Sequence, residues 1–196
     1  LDAGVHAISQ AAHFDTKIKI LDINRFLNRL NFLLNRSMIS ILNIKKRNEK
    51  FHSRYSAKAR IYQYIILNRE SVPTINKNRV WHIRKKINLE NIKRGAKFLV
   101  GKKDFSTFRA SSCSAKSPIR TLEKVNILKK KNQIFIEFRS RSFLQTQVRS
   151  MVGCLKYLGE GKWDLKKFKN VTLSKKRIFC APPAPPSGLF LKKVIY

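Results

Sequence analysis

The stretch 57–67, Ala-Lys-Ala-Arg-Ile-Tyr-Gln-Tyr-Ile-Ile-Leu, constrains the fold more than any other part of the chain. Side chains of a strand alternate between two faces, and aromatic and β-branched residues suit that pleated surface. Here Arg60, Tyr62, Tyr64 and Ile66 fall on one side, and Ile61, Ile65 and Leu67 on the other, so the segment is predicted as a strand. Two further alternating runs, 121–128 and 133–139, flank Lys130-Lys131-Asn132 and predict a hairpin. Shorter strands are expected over 5–14, after a tight Asp2-Ala3-Gly4 turn, over 38–44, and over 189–196.

Helical periodicity appears between these strands. Asp22 is placed as an N-cap before Ile23, Phe26, Leu27, Leu30 and Leu34. Asn88 precedes Leu89, Ile92, Ala96 and Leu99 in phase, with Gly101 as the stop. Leu144, Val148, Met151, Val152 and Leu155 predict a helix over 143–158, and a short one follows Asp164. Pro182-Pro183-Ala184-Pro185-Pro186 reads as a stiff extended connector. Helices mixed with a hairpin-built, mostly antiparallel sheet place the chain in the α+β class. No internal repeat occurs, and no linker clearly splits two independent domains.

The 43 Lys and Arg residues outnumber the 11 acids, for a formal charge of +32, and they are spread along the whole chain. A genome rich in Lys codons explains lysine in place of other polar residues. It does not explain so few acids, and a polyanionic partner accounts for both. Nucleic acid fits this better than a membrane: no apolar run approaches the roughly 18 residues of a spanning helix, and no strongly amphipathic basic helix with an aromatic face is evident. Cys113, Cys154 and Cys180 are odd in number and far apart, which suits neither a disulfide framework nor a zinc motif. The four histidines have no metal-ligand spacing. Metal-free chemistry in a reducing compartment is expected.

Five blocks carry a family resemblance, in order and over essentially the whole chain. They are Asp2-Ala3-Gly4-Val5-His6-Ala7; 51–58 with Arg60, Tyr62 and Tyr64; Gly101 with Asp104-Phe105-Ser106, Phe108-Arg109, Cys113 and Ser117-Pro118-Ile119-Arg120-Thr121; Phe143-Leu144 with Val148-Arg149 and Val152-Gly153; and Ala181-Pro182-Pro183 with Gly188-Leu189-Phe190-Leu191. Together they resemble the bacterial tRNA pseudouridine synthase A family. Departures are Leu1 at a threonine position, Lys103 at a usual histidine, and Gln145, Thr146, Gln147 and Ser150 around Arg149. The resemblance implies an N-terminally incomplete member: residues 1–50 as the remnant of an N-terminal half, and 51–196 as the C-terminal half. The implied fold is two related α/β halves sharing a mostly antiparallel sheet with helices packed on it.

The same resemblance implies an isomerase that converts uridine to pseudouridine in the anticodon stem-loop of tRNA. It implies no cofactor, no metal, a homodimer and a cytoplasmic location. Asp2 matches the catalytic aspartate, though an Asp-x-Gly by itself more often only makes a turn. Arg149 is its implied ion-pair partner, since a desolvated carboxylate needs a cation. Tyr62 matches the tyrosine that stacks on the extruded base, whereas Tyr64 reads as an ordinary strand aromatic. Arg54, Arg60, Arg109 and Arg120 are expected at RNA phosphates or the pocket entrance. Two alternatives stand beside this reading: an inactive RNA-binding remnant, and a structural RNA binder of ribosomal type.

Overall fold

Strand β2 (Ala59–Asn68) is the axis of the sheet. The computed structural model describes residues Leu1–Tyr196. One edge of β2 pairs antiparallel with β6 (Gln133–Ser140), from Arg60↔Ser140 to Leu67↔Gln133. The other edge is shared: β7 (Leu189–Ile195) runs antiparallel as far as Tyr64↔Leu189, and β3 (Trp81–Ile83) continues in parallel from Ile66↔Trp81. Beyond β6 lie β5 (Ile119–Lys130) and β4 (Gly101–Asp104), both antiparallel, and beyond β7 lies β1 (His6–Ala7), parallel to it. The result is a mixed sheet of seven strands in the order β1-β7-β2-β6-β5-β4, with β3 beside β2. Four α-helices complete the α+β architecture: α1 (Ile23–Leu34), α2 (Leu89–Lys97), α3 (Gln147–Gly159) and α4 (Leu165–Leu173).

The alternation read in β2 becomes an inner and an outer face. Tyr64 and Ile66 stand opposite Ile136 and Ile134 of β6, and all four are fully buried beneath α2, α3 and α4. One position before Tyr64 the register pairs Gln63 with Glu137, whose side chains bond at 2.8 Å on the outer face. Glu137 also pairs with Lys192. Ile92, Ala96, Met151, Val152, Leu155, Leu158 and Phe168 bring the helices onto the same core. Asn88 and Asp164 cap α2 and α4 by accepting the Asn91 and Lys167 amides at 3.0 and 2.6 Å, as N-cap chemistry requires. The hairpin β5–β6 turns at Lys131, whose φ of 53° is the left-handed value a two-residue turn demands.

Three expectations are corrected. The strand over 5–14 contracts to His6–Ala7, because the Ile8 and Ser9 amides both fall on the single Leu191 carbonyl, at 2.9 and 3.5 Å. Lys192, next along β7, is bulged out of the β2 register, so the edge offers β1 no further ladder. No strand forms over 38–44. Met38 has φ 53°, and the Asn31 side chain occupies both backbone groups of Ile41, at 2.7 and 2.9 Å, in place of a neighbouring strand. Helix α3 begins at Gln147 rather than Phe143, since Thr146 is left-handed at φ 59° and Gln147 accepts the Leu144 amide at 2.8 Å.

Two compact units emerge: Leu1–Gln10 with Ala57–Tyr196, and Ala11–Ser56. The second contains α1, capped by Asp22, with Phe26, Leu27, Leu30 and Leu34 half-buried along one face. In the same unit His13 lies 4.4 Å from His52, ring centre to ring centre. No helix in the chain is long and apolar enough to cross a membrane.

Among the glycines, Gly153 has the least room for a side chain: an added Cβ would stand 2.1 Å from the Pro182 carbonyl oxygen. A methyl group there forces two backbones apart, so Gly153→Ala is expected to cost about 1–3 kcal/mol or more by overpacking. Gly161→Ala meets nothing within 4 Å and carries only the strain of φ +74°. Thermal melts of the two variants should differ, with Gly153→Ala several degrees lower in Tm.

Candidate active site

Asp2 is presented by a turn. Its carbonyl accepts the Val5 amide at 3.1 Å, and the turn passes through Gly4 at φ +78°, a conformation L side chains rarely adopt. An added Cβ at Gly4 would also meet Pro186 at 3.1 Å, so glycine seats the turn on the proline-rich segment. The two-residue strand β1 then anchors on β7, with His6 stacked on Phe190 at 4.8 Å and its Nε2 2.9 Å from the Asn78 carbonyl.

Arg149 Nη1 donates to Asp2 Oδ2 at 3.1 Å, with the two side chains 16% and 35% exposed. Two segments separated by 147 positions thus meet in a partly desolvated ion pair. The guanidinium is held a second time, since its Nε donates to the Ala184 carbonyl at 2.7 Å. Ala184 returns the bond through its amide to the Arg149 carbonyl at 3.0 Å. The proline-rich connector is therefore a docking strip for α3.

Tyr62 lies on β2 between Leu191 of β7 and Phe138 of β6, and its ring meets Phe143 edge-on at 5.2 Å. Burial raises its hydroxyl above the ordinary tyrosine range; Arg60 opposes that rise and the Asp2 carboxylate adds to it. Asp2, Arg149 and Tyr62 are thus brought together from three segments, with Arg60 alongside. Arg60 Nη1 donates to the Arg141 carbonyl at 2.6 Å.

Arg109 and Arg120 form a separate group around the 109–120 loop. Arg109 donates to the Ala115 carbonyl at 3.4 Å, and Arg120 to the Ser117 and Ile119 carbonyls at 2.9 and 2.7 Å. The buried Nε of Arg120 has no partner within the protein. Both guanidiniums act on Cys113. Burial pushes that thiol up, but the Ala115 and Gln145 amides and then the two arginines outweigh it, leaving it below its usual range. In the same block Asp104 accepts the Ser106 amide at 2.8 Å, while Phe105 and Phe108 are buried in the core. Arg54 belongs to the other compact unit, where its guanidinium lies 5.9 Å from the Tyr55 ring centre. No group of three or more His, Cys, Asp or Glu side chains is arranged to hold a metal.

Pattern reading missed two parts of this site. The Ala184 carbonyl has no sequence signature, because a backbone acceptor is available at any residue. Tyr64, taken as an ordinary strand aromatic, is fully buried and donates its hydroxyl to the Pro185 carbonyl at 2.7 Å. Its burial could have been inferred from strand phase, but not its partner.

Comparison with known proteins gives a consistent result. A family model described as tRNA pseudouridine synthase matches residues 96–196. The tRNA pseudouridine synthase A of Pelagibacter ubique (strain HTCC1062) is 63% identical over 195 residues, covering 100% of this chain and 79% of that protein. The proteins of the same name from Bartonella tribocorum and Anaplasma marginale (strain Florida) are 45% and 39% identical, with the same coverage.

The thiols give a direct check on the electrostatics of the site region. Cys154 is buried 3.5 Å from the Cys180 sulfur, and the hydrogen bond to Cys180, followed by burial, pushes it far above the usual range. At neutral pH, iodoacetamide should label Cys113 well before Cys154, because the thiolate is the reactive form and Cys113 holds more of it. Peptide mass spectrometry over a time course reads the order, and Arg120→Gln should slow the labelling of Cys113.

Proposed function

The chain belongs to the tRNA pseudouridine synthase family, and from that premise we propose that it converts uridine to pseudouridine in the anticodon stem-loop of tRNA, with Asp2, Arg149 and Tyr62 as its catalytic group. The observation that carries the assignment of residues is the Asp2–Arg149 ion pair, formed within electrostatic reach of the Tyr62 hydroxyl.

The reaction breaks the N1–C1′ bond of the nucleotide, turns the uracil within the site, and joins C5 to C1′. N1 gains a proton and C5 loses one, so the change is an isomerisation. Asp2 is suited to act at the sugar, as a nucleophile at C1′ or as the base that takes a sugar proton. Arg149 aims that carboxylate, because a planar guanidinium fixed at Nε leaves its Nη1–H little freedom. Tyr62 offers the extruded base an aromatic face. Burial raises the phenol's pKa, and its hydroxyl, beside the stacked base, could also help remove the C5 proton.

Arg60, beside Tyr62, fits the pocket entrance. Arg109, Arg120 and Arg54 fit phosphate contacts, and the charge of +32 supports an extended RNA track. The sheet and helices correspond on this reading to a pseudouridine synthase fold of two related halves, working in the cytoplasm as a homodimer that holds tRNA between its subunits.

Tritium release from tRNA carrying 5-tritiated uridine measures the reaction. Asp2→Asn should lower release by about three orders of magnitude or more while tRNA binding persists. Tyr62→Ala should lower it roughly 5- to 150-fold, the equivalent of about 1–3 kcal/mol of lost stacking. Undiminished release from Asp2→Asn would remove that residue from its role. Tight tRNA binding by the unaltered chain without any release would favour the RNA-binding remnant instead. Affinity for tRNA should also fall linearly on a log–log plot against salt, because each neutralised phosphate releases counterion. A flat line would count against the basic track.

A further inference from the structure

We propose that Tyr64 is a positioning residue for the reaction, acting through the proline-rich segment to aim Arg149 at Asp2. The proposal rests on the assignment of Asp2 and Arg149 made above.

The connection is continuous and each link is short. The Tyr64 hydroxyl donates to the Pro185 carbonyl at 2.7 Å. The preceding carbonyl, that of Ala184, accepts from Arg149 Nε at 2.7 Å. Arg149 Nη1 then donates to Asp2 at 3.1 Å. Successive carbonyls of one stiff segment are thus fastened to two different anchors, one in the sheet and one on α3. Pro185 has φ −54°, locked by its ring, and Pro186 follows it, so few torsions between the anchors are free to absorb a shift.

The surroundings close tightly on the hydroxyl end of Tyr64. The residue is fully buried, and an added Cβ at Gly188 would stand 2.7 Å from its Cζ, so the end of the segment closes directly onto the ring. Burial pushes the phenol far above its ordinary range, and Arg149 only partly opposes this. The hydroxyl therefore stays protonated and acts as a donor toward Pro185. Gly4 rests against Pro186, so the segment that Tyr64 holds also supports the turn carrying Asp2. Both members of the ion pair thereby take their positions from one strip of backbone.

A purely structural hydrogen bond would affect stability alone, and kinetics separate the two cases. Tyr64→Phe keeps the ring and removes the donor. It should lower kcat for tritium release about 10- to 100-fold, the scale of an ångström-size misplacement of a catalytic group, with KM for tRNA changed less than about twofold. Lysine has no Nε–H to meet Ala184, so in an Arg149→Lys background the same change should cost less than about a further twofold. Incorporating 4-aminophenylalanine at position 64 restores a donor and should recover most of the lost kcat, and it serves equally if Tyr64→Phe folds poorly. A wild-type kcat in Tyr64→Phe, an effect on KM alone, or an equal loss in both backgrounds would overturn the proposal. Those outcomes, with Asp2→Asn still inactive, leave the assignment of Asp2 standing; release surviving in Asp2→Asn would overturn both.

Discussion

The Arg149 guanidinium, fixed at one nitrogen by a backbone carbonyl and at another by a carboxylate, is the interaction on which the arrangement of this site depends. A charge this sheltered is costly to hold unless its donors are met, and here the partners come from opposite ends of the chain. Asp2 is set by a glycine turn and a two-residue strand, and Ala184 by a segment that crosses α3 at Gly153. The core beneath supplies what none of these can supply alone, a rigid α3 packed on Tyr64, Ile66 and the helices α2 and α4.

What was legible in the sequence follows from what each signal measures. β2 and the β5–β6 hairpin were visible because alternation reports one buried face. The helices after Asn88 and Asp164 were visible because cap and stripe agree there. The stretches that misled, 5–14 and 38–44, are decided by what lies alongside them. The first runs out of partner edge at a bulge, and the second is claimed by an asparagine side chain. Propensity cannot register either event, since both are tertiary.

The site shows the same division. Asp2, Arg149 and Tyr62 were nameable only by resemblance: Asp-x-Gly by itself made Asp2 a turn residue, and nothing in the pattern set Arg149 apart from the other basic residues. The structure places the three together and parts Arg109 and Arg120 from them into a group of their own. It also enlarges the set with a tyrosine that strand phase treated as filler and with a main-chain oxygen that no sequence reading could single out. Each of these positions a neighbour rather than presenting a reactive group, so neither has a residue type that would give it away.

The brevity of β1 has a consequence for how such a protein fails. The acid is joined to the sheet by two ladder positions, the Ile8 and Ser9 amides on Leu191, a histidine stacked on Phe190 and held at Asn78, and one ion pair, whereas β2, β5 and β6 are bonded along most of their length. Openings of lightly bonded segments require far less free energy than global unfolding. A local opening at β1 would part Asp2 from Arg149 while the sheet and the helices stay folded. In that state the fold outlasts the one ion pair that joins segments 147 positions apart.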